Sequence, residues 1–104
     1  MSPKKPEESG GAAVAEDIQV KEPPKFAVLL HNDDFTTMEF VIEVLLRFFR
    51  RTTEESVKIM LEVHEKGSGV AGIYPSEIAE TKVSQVTEYA QASGYPLRLT
   101  FEPL

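Results

Sequence analysis

Two Thr-x-x-Glu boxes stand sixteen residues apart in this chain, Thr36 with Glu39 and Thr52 with Glu55. Each is followed at once by apolar residues at helical spacing, the pattern of a capped helix start. After the first box, Met38, Val41, Ile42, Leu45 and Phe49 recur along one face. Phe40, Val44 and Phe48 widen that stripe, so this helix is expected to be covered on more than one side. It should end near Arg50-Arg51, cations suited to a helix C-terminus. After the second box, Val57, Met60, Leu61 and His64 share a face as far as Lys66, and Gly67 is placed to stop the helix in the left-handed conformation. The two helices are consecutive and are expected to run antiparallel. The start of the first then lies near the end of the second.

Strands are expected around this pair. Lys25–His31 is short, apolar and follows Pro-Pro, which reads as a buried strand. Val70–Tyr74, between Gly69 and Pro75, reads as a second. Ser76 opens a third helix with Ala79, Val83, Val86 and Ala90 on one face, Gly94 ends it, and Leu97–Phe101 alternates as a third strand. The expected fold is α+β in the order βααβαβ, a three-stranded antiparallel sheet packed against three helices.

The body that carries these elements is residues 25–104. About 80 residues bury roughly 60–65% of the unfolded-chain surface, enough for one modest core. Residues 1–24 hold four of the seven prolines, no aromatic residue, and three lysines against five carboxylates. Such a segment has too little apolar surface to offset its ordering entropy and is expected to be a disordered extension.

The whole chain has a formal net charge of −6 and no cysteine. The acidic balance disfavours nucleic-acid binding. The missing thiols exclude disulfides, thiol catalysis and cysteine-ligated zinc, and fit a reducing compartment. No apolar run is long enough to span a bilayer and the N-terminus lacks the apolar stretch of a secretory signal, so the expected location is the cytoplasm. Nothing in the pattern demands a dimer.

Polar groups gather beside apolar ones in two places: His31-Asn32-Asp33-Asp34, at the junction of the first strand and first helix, and His64, near the end of the second helix. Taken alone, the Asn-Asp-Asp turn would bond nearby backbone amides and orient the helix start. His64 taken alone would be a half-buried imidazole with backbone partners. Antiparallel helices bring the two together and carry Met38 and Val41 towards Met60 and Val63. The outcome is a small apolar pocket rimmed by acceptors, with no Lys or Arg in the immediate rim. An ammonium ion, a pure donor with three N–H groups, suits it.

The rival is a small metal-dependent hydrolase using His64 with Asp33 or Asp34, with His31 as a further nitrogen ligand. Against it, neighbouring strand residues point to opposite faces and no H-x-x-x-H pair occurs. No G-x-S-x-G elbow is present, and Gly67-Ser68-Gly69 lacks the Lys and helix of a phosphate loop. No cofactor or metal is expected on the first reading.

NDDFTTMEFVIEVL (32–45), MLEVHEKG (60–67), GIYPSEIAETKVSQV (72–86) and YPLRLTFE (95–102), at this spacing, resemble the ClpS family. Its members are adaptors that deliver N-degron substrates to the Clp ATP-dependent protease, and the likeness covers residues 25–104. The resemblance implies a non-enzymatic protein that binds the free α-amino group and first side chain of proteins beginning with Leu, Phe, Tyr or Trp. Asn32, Asp33 and His64 would hold the α-ammonium, Asp33 partly through a water. The backbone near Asp34 and Thr36 would support the peptide and shape the pocket mouth. Met38, Val41, Met60, Val63 and Leu97 would line the side-chain pocket, with Met38 a gate against β-branched residues. Glu77 and Lys82 match the surface that docks on the N-terminal domain of the ClpA unfoldase, and the extension matches the segment that the unfoldase engages. Three departures stand out. Thr37 replaces the usual Pro, which is expected to loosen the helix start slightly. Phe35 replaces Tyr, and Pro75-Ser76 replaces a Thr-Ala-like opening of the third helix.

Overall fold

The computed structural model describes residues 22–104. The expected extension, 1–24, lies outside the described residues except for its last three. Within them the order is β1 (Lys25–His31), α1 (Met38–Phe48), α2 (Thr53–Lys66), β2 (Ser68–Pro75), α3 (Ser76–Ala92) and β3 (Arg98–Pro103). β1 is the central strand and pairs antiparallel with β2 on one side and β3 on the other. This is the α+β fold expected. β2 begins two residues earlier than Val70, and β3 is shifted to start after Leu97. Among the described residues, no helix is long and apolar enough to cross a membrane.

Period two on β1 puts Val28 and Leu30 into the core, while Ala27, Leu29 and His31 take the other face. Val28 lies opposite Gly72 and Phe101, and Leu30 opposite Gly69 and Leu99. A register shift at Val28/Leu29 leaves Ala71 without a partner on β1, and Arg51 Nε donates to the Ala71 carbonyl at 2.8 Å. One apolar cluster joins β1 to Phe40, Val41, Val44, Leu45 and Phe49 of the α1 region, to α2 and to α3. Ile42 and Phe48 pack against that cluster, so α1 is covered on more than one side.

α2 is rotated from its expected face. Ser56, Ile59, Met60 and Val63 are buried, whereas Val57, Leu61 and His64 are exposed. The buried set has ordinary helical spacing, but a serine at one of its positions hides the period. Ser56 is fully buried and its hydroxyl has no hydrogen-bond partner among the described residues. α3 matches its expected face: Ala79, Val86 and Ala90 are buried and Val83 packs against the core. It follows β2 with no intervening loop, and Pro75 at its N-cap provides no side-chain bond.

The first helix start also differs. The N-cap of α1 is Thr37, whose Oγ1 accepts from Phe40 N at 3.1 Å. Thr36 does not form the expected box with Glu39: its backbone N–H donates to Asp33, and the helix starts one residue later, capped by Thr37. Thr37 thus stands at the N-cap itself and supplies a side-chain acceptor that a Pro lacks. The second box forms as expected: Thr52 Oγ1 accepts from Glu55 N at 3.1 Å and Glu55 Oε1 accepts from Thr52 N at 3.0 Å. Gly67 ends α2 in the left-handed region, φ 93°.

Candidate functional site

β1 delivers the chain to the site and α1 carries it away. Between them the backbone N–H of Asn32 donates to the Gly67 carbonyl at 2.9 Å. That single bond fastens the loop after β1 to the end of α2. It needs Gly67 in its left-handed cap, since this conformation turns the chain out of the helix and into β2.

Asp33 then organises the loop. Its Oδ1 accepts from Phe35 N at 2.8 Å and Thr36 N at 2.7 Å, and its Oδ2 accepts from Thr36 Oγ1 at 2.7 Å. Burial by itself would raise the Asp33 pKa. The bonds from Thr36 and Phe35 outweigh it, and the net effect holds the carboxyl below its ordinary value. A carboxylate offers about four lone-pair positions, so three of these are occupied and one, on Oδ2, remains open.

The loop and α2 enclose a cavity of about 400 Å³. Its apolar wall is Met38, Val41, Met60 and Val63, and its polar rim holds Asn32, Asp33, Asp34, Thr36 and His64. The loop and helix end expected to meet on helix antiparallelism do meet. Val41, Met60 and Val63 are buried, while Met38 is 42% exposed at the opening. Among the described residues no lysine or arginine lines the cavity.

Two further residues line it, Phe35 and Thr37. Composition pointed to neither as a binding residue. The signal available was contiguity: once Asp33 wraps the loop tightly, every residue from 32 to 38 borders the same hollow. Leu97 does not. It is buried in the core cluster and is not among the side chains that border the cavity. The residue sits just before β3, the strand on the opposite side of β1 from β2, whereas the apolar wall comes from α1 and α2.

The metal-hydrolase alternative finds little here. Among the described residues no three His, Asp or Glu side chains gather as a metal site would require. His31 is not in the cavity wall; its Nε2 is 2.7 Å from Thr100 Oγ1 across the β1–β3 pair. Burial chiefly, and then Arg98, lower the His31 pKa, with Glu102 opposing.

Glu77 and Lys82 lie on α3, away from the cavity. Glu77 is exposed in the first turn. Lys82 Nζ instead turns inward, donating to the Phe48 carbonyl at 2.6 Å and lying 5.9 Å and 5.8 Å from the Phe49 and Tyr74 ring centroids. Its ammonium thereby caps the end of α1 and holds α3 to β2.

The family model for ATP-dependent Clp protease adaptor protein ClpS matches residues 21–100. This chain belongs to the ClpS family. It is 50% identical over 102 residues to the Clp protease adapter ClpS of Oleidesulfovibrio alaskensis, covering 98% of each chain. The ClpS of Nitratidesulfovibrio vulgaris is 58% identical over 84 residues, 81% of this chain and 84% of that one. Among solved structures, Agrobacterium tumefaciens ClpS2 bound to L-phenylalaninamide superposes with a TM-score of 0.76 at 37% identity. That match covers 80% of this chain and all of the other. ClpS proteins are adaptors of the Clp protease, and the βααβαβ fold described above is theirs.

Proposed function

We propose that this ClpS chain binds the free N-terminus of proteins beginning with Leu, Phe, Tyr or Trp and delivers them to a ClpA-type AAA+ unfoldase. One observation carries the reading: a greasy cavity whose rim contains acceptors and no cation. A protein N-terminus presents an apolar first side chain next to an ammonium, which is the complement of that arrangement. The solved Agrobacterium relative, which holds L-phenylalaninamide, supports the same ligand chemistry.

In this reading Asn32 and His64 accept directly from the α-ammonium, and the open position on Asp33 Oδ2 accepts through a water. Asp34 and Thr36 support the first peptide group at the mouth. The first side chain enters between Met38, Val41, Met60 and Val63. Met38, half-exposed at the opening, collides with a branch at Cβ and so acts against Ile and Val. An α-amine with pKa of about 7.7–8.0 is mostly protonated at neutral pH. Each hydrogen bond to it contributes about 1.5–3 kcal/mol. Burial of Leu or Phe adds roughly 1.5–3 kcal/mol. After the entropy of immobilising the peptide, a dissociation constant in the micromolar range, about −8 kcal/mol, follows. That strength suits an adaptor that must let go.

The protein performs no chemistry of its own in this scheme and works as a monomer in the cytoplasm. Glu77 and its surroundings on α3 meet the N-terminal domain of the unfoldase. Lys82 contributes there by shaping the surface, since its ammonium is bound to Phe48. The extension, 1–24, is the segment the unfoldase engages at hand-over. Fluorescence anisotropy tests the central claim. A peptide beginning with Phe should bind, its N-acetylated form should not, and His64→Ala should weaken the free form at least tenfold, about 1.4 kcal/mol. Equal binding of free and acetylated peptides would refute the reading.

A further inference from the structure

Two glycines follow α2 within three residues of each other, and they are glycine for different reasons. Gly67 has φ 93°, and a Cβ there would meet nothing within 4 Å; conformation demands it. Gly69 is the reverse. Its φ is not in the left-handed region, but a Cβ would lie 3.0 Å from Val63 Cγ2, 3.4 Å from the Ile59 carbonyl oxygen and 3.5 Å from Glu62 Oε1. Space demands this one: α2 lies directly against β2 at Gly69. Val63 is only 2% exposed, and the same side chain lines the cavity. It is therefore a partition, with the strand on one side and the cavity on the other.

We infer that Gly69, acting through Val63, sets the depth of the cavity and thereby the selectivity among bulky first residues. Gly69 is a positioning residue, and the inference rests on the first-residue pocket proposed above. The direction of push follows from what cannot yield. A β-branched side chain in a helix is held close to one rotamer, so Val63 has no easy turn away. The Ile59 carbonyl is helix backbone. β2 is held in place by its ladder to β1, with Gly69 opposite Leu30 and Ser68 opposite His31, and by the Asn32 N–H on Gly67. Val63 borders the cavity, and the cavity has room to receive it. A methyl added at 69 moves Val63 into it and removes the space that an aromatic ring would use, while Leu, being shorter, loses less.

Anisotropy of labelled peptides identical except for a first Leu, Phe or Trp, measured on the full chain, tests this. Gly69→Ala should weaken the Phe and Trp peptides about fivefold to tenfold more than the Leu peptide. Val63→Ala alone should shift the Phe-to-Leu ratio the other way, in favour of Phe and Trp. Gly94→Ala, where φ is 86° and no atom crowds the added Cβ, should lower thermal stability and leave the ratio unchanged. A folded Gly69→Ala protein with the parent's ratio overturns the inference. Should Gly69→Ala fail to fold, Val63→Ala decides: a ratio shifted towards Phe and Trp supports the partition, and an unchanged ratio overturns it. A parent protein that binds no free N-terminus, or binds acetylated peptides equally, overturns instead the pocket reading beneath it.

Discussion

At the start of α2, Thr52 and Glu55 satisfy each other's backbone N–H groups and the cap is closed. At the start of α1 the same Thr-x-x-Glu spelling gives something else. Asp33 takes the amides of Phe35 and Thr36 and the hydroxyl of Thr36, the cap passes to Thr37, and Glu39 remains exposed in the first turn. The start of α2 is a device for stability alone. The start of α1 is a rigid lip whose residues border a cavity. The lesson is that the Thr36 N–H, which a capping box would give to the Glu39 carboxylate, goes instead to the carboxylate of Asp33, and the cap moves one residue on to Thr37. What Asp33 builds is a wrapped loop with one of its own acceptor positions left open.

Breaking the lip should have the largest effect. Asp33→Ala frees the Phe35 and Thr36 amides and removes an acceptor from the rim. Loss of about 2 kcal/mol in urea unfolding is expected, and loss of detectable peptide binding by anisotropy. If binding survives Asp33→Ala, the starts of α1 and α2 do not differ in function. Acid should expose the same contrast. The Asp33 pKa is depressed in the folded state, so its contribution is full above the ordinary carboxylate range and is lost as pH falls through the depressed value. Stability should therefore drop on acidification, and Asp33→Asn should flatten that part of the pH profile of the melting temperature. An unaltered profile would show that the carboxylate charge does not hold the loop.

At the closed cap of α2 the expected effects are smaller and confined to stability. Thr52→Ala should cost about 1 kcal/mol and leave peptide affinity as it was. A matching loss of affinity would mean that α2 transmits strain from its start to His64. The smallest change has the opposite sign. Ser56, in the first turn of α2, buries a hydroxyl without a partner, so Ser56→Ala should be neutral to stabilising by up to about 1 kcal/mol, read as a rise in melting temperature.

Much of the fold could be read along the chain. β1 and α3 declare themselves by period, and Gly67 ends α2 as a left-handed stop should. Juxtaposition of Asn32–Asp34 with His64 needed only the idea that consecutive helices run antiparallel. The α2 face was harder. Val57 and Leu61 look like core residues at correct spacing, yet they face solvent, and Ser56 fills a core position. A helix with apolar residues on two arcs has no single face until its neighbours choose one.

Local chemistry, then, settled which segments coil, which extend, where each stops, and that acceptors would stand beside apolar side chains with no cation among them. These follow from interactions within a few residues, which the order of side chains specifies directly. Tertiary packing decided the rest: which arc of α2 is buried, that Lys82 turns inward to the end of α1, that Leu97 joins the core, and that Val63 stands between Gly69 and the cavity. Each of these depends on atoms far apart in the chain competing for the same space, and only the assembled fold resolves that competition.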